Sequence, residues 1–197
     1  MNWPNRITIF RLLIPVAFLP ALMTPLPYGR VVALALFLLG VFTDWLDGYL
    51  ARRHNIHTEF GRLMDPLADK ILIASALISF VALMPEVVRV WMVVVIISRD
   101  FLITGLRQLA LQRKAVMSTD VLAKHKTALQ MIGISTVLLY LAYLDLDHCF
   151  PEQWTEQVNM FAPELLHVMF YAIVLVTFAS GLFYLWKYRV LFTTDVQ

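Results

Sequence analysis

Long apolar runs alternate along this chain with short polar breaks. The runs cover residues 7–25, 31–52, 62–84, 88–112, 121–144 and 162–186. Each is close to the roughly 20 residues that a helix needs to cross a bilayer. The breaks between them carry turn chemistry: TPLPYGR at 24–30, RRHNIHTE at 52–59 and LDLDHCFPEQWTEQ at 144–157. No run shows the strict alternation of a half-buried strand, and apolar segments this long are helical unless they close into a barrel. The pattern predicts an all-α, polytopic membrane protein with six transmembrane helices in one membrane-embedded domain over residues 1–197. No internal repeat or low-complexity segment interrupts it.

The basic residues then orient the chain. Arg6, Arg52, Arg53, Arg62, Arg113, Lys114, Lys124, Lys126, Lys187 and Arg189 all fall on the side of the termini. Opposite them stand Arg30 and Arg89, and the longest loop there is acidic. The positive-inside rule therefore puts both termini in the cytoplasm. Arg11 and Pro15 break the first apolar run and no A-x-A site follows, so the first helix reads as a retained span and not as a signal peptide. Trp3 and Pro4 suggest a short surface segment before it.

Composition agrees. The chain is 60% hydrophobic, 15% charged and has a mean hydropathy of +0.72. A soluble domain is about 45–50% apolar and about 25% charged. A net charge of +2 with no basic tail gives no sign of a nucleic-acid partner, and the single cysteine, Cys149, excludes an intramolecular disulfide.

Against this background four aspartates, Asp44, Asp47, Asp65 and Asp69, crowd into 26 residues. At 100° per residue, Asp44, Asp47, Gly48 and Ala51 fall within an arc of about 100°, and Arg52 extends the same side. Gly48 and Ala51 leave space beside the carboxylates. On the next helix Gly61, Asp65 and Asp69 recur every fourth residue, and Pro66 suggests that this helix begins or bends there. The short connection 53–60 makes the two helices antiparallel neighbours, with all four aspartates facing one another in the inner portion of the membrane. Like charges so close cannot all stay ionised unaided. Divalent cations with a taste for hard oxygen ligands, Mg²⁺ or Mn²⁺, are one compensation, and four carboxylates suffice for two ions about 3.5–4 Å apart. Arg52 would then serve a phosphate oxygen. A proton or ion pathway through a small transporter is a second reading, and structural pairing with Arg52, Arg53 and Arg62 a third.

The residues also match a family. Asp44, Asp47, Gly48, Ala51, Arg52, Gly61, Asp65 and Asp69 fill every position of D-x2-D-G-x2-A-R-x8-G-x3-D-x3-D, so the chain resembles the CDP-alcohol phosphatidyltransferases. That resemblance implies six helices with cytoplasmic ends and a tendency to form homodimers. It further implies that the four aspartates hold two divalent ions, with Asp69 also the general base. Gly48, Ala51 and Gly61 would line a cytidine pocket, and Arg52 would contact the diphosphate. An acceptor hydroxyl would attack the phosphorus nearer the diacylglycerol of CDP-diacylglycerol, and CMP would leave.

A second stretch, Ser98–Met131, is similar to bacterial phosphatidylglycerophosphate synthases, which carry R-E-x5-L-R and G-K-x-K-T segments. Here these read Arg99-Asp100, Leu106-Arg107 and Ala123-Lys124-His125-Lys126-Thr127, with Asp for Glu and Ala for Gly. The opening resembles their N-P-N-x-x-T-x-x-R start through Pro4, Asn5, Thr8 and Arg11, which adds Asn5 and Thr8 to the nucleotide side. Arg99 and Arg107 lie two turns apart on one helix, and Lys124 and Lys126 open the next from the same side. Such cations suit an anionic acceptor, glycerol 3-phosphate. Contact with anionic membrane lipid is the alternative for Lys124 and Lys126, and pairing with Asp100 for Arg99. Inositol phosphate, serine and phosphatidylglycerol remain rival acceptors. The resemblance implies a bacterial inner membrane. His54, His57 and His125 read as solvated, and His167 as a packing residue. His148 and Cys149 share the opposite loop with Asp145 and Asp147, where a zinc site is the lesser reading.

Overall fold

The computed structural model describes residues 3–54, 59–112 and 121–189, with side chains over 10–46, 67–68, 70–110 and 126–189. Helices α1 (Trp3–Met23), α2 (Gly29–His54), α3 (Glu59–Leu83), α4 (Val90–Gln112), α5 (Val121–Asp145) and α6 (Glu152–Lys187) follow in order, with a 3-10 turn at Asp147–Cys149. No strand occurs among the described residues. The all-α architecture is thus as the apolar runs imply.

Among the described residues, three of these helices are long and apolar enough to cross a membrane, over Gly29–Leu46, Lys126–Asp145 and Glu152–Lys187. The described apolar parts of α1 and α3, Phe10–Met23 and Lys70–Leu83, are shorter. In α4 the apolar run is interrupted by Arg99, Asp100 and Arg107. Large outward-facing side chains such as Leu38, Phe42, Leu165, Leu175 and Phe178 are exposed. An apolar surface this continuous needs lipid to cover it.

α1 lies along both α2 and α3, whereas α2 and α3 meet each other only briefly among the described residues. They touch at Gly40, where a Cβ would come within 2.5 Å of Leu72 Cδ2 and 3.7 Å of Ile14. A glycine is needed there because three helices converge on one backbone atom. α5 packs on α2 and α6, α4 on α6 and α3. Gly133 brings α5 against Ile173 of α6 in the same way.

The main core fills the half of the bundle away from the chain ends, where Phe18, Phe37, Phe80, Met92, Ile96, Ile134, Leu138 and Phe170 are fully buried. A smaller cluster of Ile103, Leu106 and Tyr184 closes the other half. Between the two lies a polar layer, which forms the site described below.

Several boundaries depart from the sequence reading. α6 begins at Glu152, inside the stretch 144–157 that reads as a loop, and continues through Pro163. Pro151 supplies an extended N-cap (φ −60°, ψ 138°) and Glu152 suits the positive helix start, while Tyr140 of α5 donates to Asn159 at 3.2 Å. An internal proline removes one backbone bond, and these contacts compensate for it. α3 likewise begins at Glu59 and runs through Pro66, so Pro66 does not start it. α1 takes in Trp3 and Pro4, which were expected to precede the span. At the tight α1–α2 turn Tyr28 adopts φ 59°, and a Cβ at Gly29 would sit 2.6 Å from the Ala21 carbonyl oxygen.

Candidate functional site

The signature aspartates lie two on α2 and two on α3, all on the chain-end side of the Gly40–Leu72 contact between the two helices. Asp44 is four residues beyond Gly40 and Asp69 three before Leu72. With a rise of 1.5 Å per residue, both are displaced by about 5–6 Å toward the same end of the antiparallel pair. Asp44 is the member whose side chain is described. It is 48% exposed, and its Oδ1 accepts a 2.6 Å bond from Nη2 of Arg11, itself 4% exposed on α1. The arginine that closes the N-terminal motif is therefore the counter-ion of the first signature aspartate. The side chains of Asn5, Thr8, Asp47, Gly48, Ala51, Arg52, Gly61, Asp65, Asp69 and Lys124 lie outside the described residues, as do those of His54, His57 and His125.

One residue after Asp69, Lys70 leaves α3 toward α4. Its ammonium donates to the Asp100 carbonyl oxygen at 2.9 Å and stands 5.9 Å from the Phe101 ring centroid. Asp100 is a hub. Its carboxylate Oδ1 accepts from Nη1 of Arg99 at 3.2 Å and from the Lys126 ammonium of α5. Its carbonyl oxygen also accepts from Thr104 at 2.7 Å. Arg99 in turn reaches α6, where Nη2 donates to Ser180 Oγ at 2.7 Å. Four helices are thereby tied into one polar network.

The electrostatics follow from burial. The Lys126 side chain is 3% exposed and that of Asp100 16%. Cations this sheltered are costly unless a carboxylate accompanies them. Arg99 and Lys126 share the single Asp100 carboxylate, and two cations on one carboxylate favour a further anion. Arg107, two turns along α4, is exposed and has no ion-pair partner among the described residues. The structure thus brings Arg99 and Lys126 together through Asp100 and leaves Arg107 apart at the surface. Sequence reasoning missed Asp100 as the hub, as well as Lys70 and Ser180. The adjacency of Lys70 to Asp69 was the available signal; Ser180 carries none.

Elsewhere His167 packs: its Nδ1 is 3.0 Å from the Val87 carbonyl oxygen and its ring stands edge-on to Tyr171. The zinc-type donor set is not assembled, because Asp145 is engaged by the Arg30 backbone N–H at 2.9 Å and no group of three such ligands forms among the described residues. Asp147 and His148 lie 3.9 Å apart, and Cys149 is exposed and unbridged.

Comparison with known proteins gives a consistent result. The sequence model of the CDP-alcohol phosphatidyltransferase family matches residues 1–179. A Bacillus subtilis protein named CDP-diacylglycerol–glycerol-3-phosphate 3-phosphatidyltransferase is 40% identical over 151 residues, covering 71% of this chain and 77% of its own. Proteins of the same name from Rickettsia bellii and Salmonella typhimurium are 38% and 32% identical, covering 74% and 70% of this chain and 82% and 76% of theirs.

Proposed function

Because the chain belongs to the CDP-alcohol phosphatidyltransferase family, we propose that it transfers a phosphatidyl group from CDP-diacylglycerol to glycerol 3-phosphate and releases CMP. Relatives sharing up to 40% identity bear the name of that reaction. The observation that carries the acceptor is the sheltered pair of cations, Arg99 and Lys126, on one carboxylate, joined through Asp100 to α3 at Lys70, one residue from Asp69. Serine or choline would not need such a pair, whereas a phosphate-bearing alcohol does.

Asp44, Asp47, Asp65 and Asp69 are the residues that would hold two Mg²⁺ or Mn²⁺ ions. Asp44 fits that role: its half-exposed carboxylate has Arg11 as its one partner among the described residues, which leaves oxygen lone pairs for a hard cation. When bound, such ions neutralise the diphosphate and the charge developing on the departing CMP. Asp69 takes the proton of the acceptor hydroxyl as its oxygen bonds the phosphorus nearer the diacylglycerol. Gly48, Ala51 and Gly61 leave room for the cytidine, with Asn5 and Thr8 beside it, and Arg52 pairs with the diphosphate. Arg107, Lys124, Lys126 and Arg99 receive the acceptor phosphate.

The single domain, as we read it, works at the cytoplasmic face of a bacterial inner membrane, as a homodimer. There the acyl chains stay in lipid while the polar acceptor arrives from water. The test is CMP release by purified protein given CDP-diacylglycerol, Mg²⁺ or Mn²⁺, and a panel of alcohols. Release with glycerol 3-phosphate is expected. Release with serine, inositol phosphate or phosphatidylglycerol alone would reassign the acceptor. Ion flux into liposomes without any CMP would favour a transporter.

A further inference from the structure

Arg99 is gripped from two directions. Nη1 donates to Asp100 at 3.2 Å and Nη2 to Ser180 at 2.7 Å. The third nitrogen, Nε, is buried and has no acceptor among the described residues. A guanidinium is a planar fork, so anchoring both Nη atoms fixes where Nε points. On the α6 flank a Cβ at Gly181 would stand 3.1 Å from Arg99 Cγ, which leaves the side chain little room to swing. A buried donor without an acceptor costs free energy, and a phosphate oxygen is among the best acceptors for it. The Lys126 ammonium, on the same Asp100 oxygen, adds charge beside it.

We propose that Ser180 and Asp100 are positioning residues for the acceptor: by clamping Arg99 they present its Nε to the phosphate of glycerol 3-phosphate. Ser180 lies one residue beyond the stretch 1–179 that the family model matches, so the signature does not imply this role. The inference rests on the acceptor reading above. The chemistry recognised is a phosphate oxygen, which could also come from the diphosphate of the lipid donor, and the experiment separates the two.

Steady-state CMP release is measured for the full chain with Ser180→Ala, each substrate varied in turn. Loss of a hydrogen bond to a charged group predicts a rise of about 10–150-fold in KM for glycerol 3-phosphate, with kcat and the KM for CDP-diacylglycerol within about 2-fold. Arg99→Lys keeps the charge but lacks Nε, and gives the same selective rise even if Ser180→Ala cannot be recovered. Adding Ser180→Ala to Arg99→Lys changes nothing further, because the hydroxyl acts through the guanidinium. A rise confined to CDP-diacylglycerol puts Nε on the diphosphate and overturns the proposal. Equal losses for both substrates, or additive effects in the double variant, make Ser180 merely structural and overturn it too, as does no change. Wild-type protein that releases CMP only with another alcohol removes the acceptor reading, and this inference with it.

Discussion

Replacing Asp100 by Asn should destabilise the fold more than replacing Lys126 by Met, although both break the same ion pair. Without the carboxylate, Lys126 and Arg99 are left as neighbouring cations in a layer where the Lys126 side chain is 3% exposed. Stranding one partner of a buried pair costs about 3–5 kcal/mol. Without Lys126 the carboxylate still has Arg99 at 3.2 Å, so the loss is that of one charge-assisted bond, about 1.5–3 kcal/mol. For a chain of this size each kcal/mol moves the melting temperature by about 2–4 °C. Asp100→Asn should therefore melt about 6–20 °C below wild type in detergent micelles and Lys126→Met about 3–12 °C below, by the same conversion. The decisive variant combines both. Removing the stranded ammonium should raise the melting temperature above that of Asp100→Asn alone. A double variant that melts lower than Asp100→Asn, or a Lys126→Met that melts lower than Asp100→Asn, would refute the hub role of the carboxylate.

Arg107→Ala should raise the KM for glycerol 3-phosphate by about 10-fold or more, that of CDP-diacylglycerol staying close to wild type, with little change in melting because the side chain is exposed. Equal changes in both constants would count against it. Chelation by EDTA should abolish CMP release, and Mg²⁺ or Mn²⁺ should restore it; activity surviving exhaustive chelation would remove the metal assignment. Arg11→Ala should lower turnover sharply while costing about 1–2 kcal/mol of stability, since Asp44 is half exposed and water replaces part of the lost bond. An inert variant would separate Arg11 from the site. Gly40→Leu should be far more damaging than Gly105→Leu, as Gly40 faces Leu72 and Ile14 whereas Gly105 has open space, and melting curves of the two compare them directly.

Much of this arrangement is legible in the chain because hydrocarbon restricts the choices. Six apolar runs leave helices as the economical reading, and α2 through α5 fall within a few residues of it. Helix ends governed by proline were less legible. Pro66 reads as a start or bend of its helix and the stretch up to residue 157 as a loop, yet α3 begins at Glu59 and runs through Pro66, and α6 begins at Glu152 and runs through Pro163. The signature located Asp44 but not its partner, since the pairing of Arg11 with Asp44 links residues 33 apart and depends on how α1 lies against α2. Asp100 shows the same limit. Read along α4 it is a shortened substitute for Glu; only the convergence of α3, α5 and α6 makes it the common partner of Lys70, Arg99 and Lys126.

At 36 residues, α6 is about 54 Å long, against a hydrocarbon thickness of about 30 Å. Its leading turns must then stand clear of the lipid on the face opposite the chain ends, next to Cys149. That thiol is exposed and is the chain's sole cysteine. The molecule thus carries its own topology marker: labelling of intact cells by a membrane-impermeant maleimide would place that face outside with no engineered residue, whereas a chain inserted the other way round would stay unlabelled until the membrane is opened.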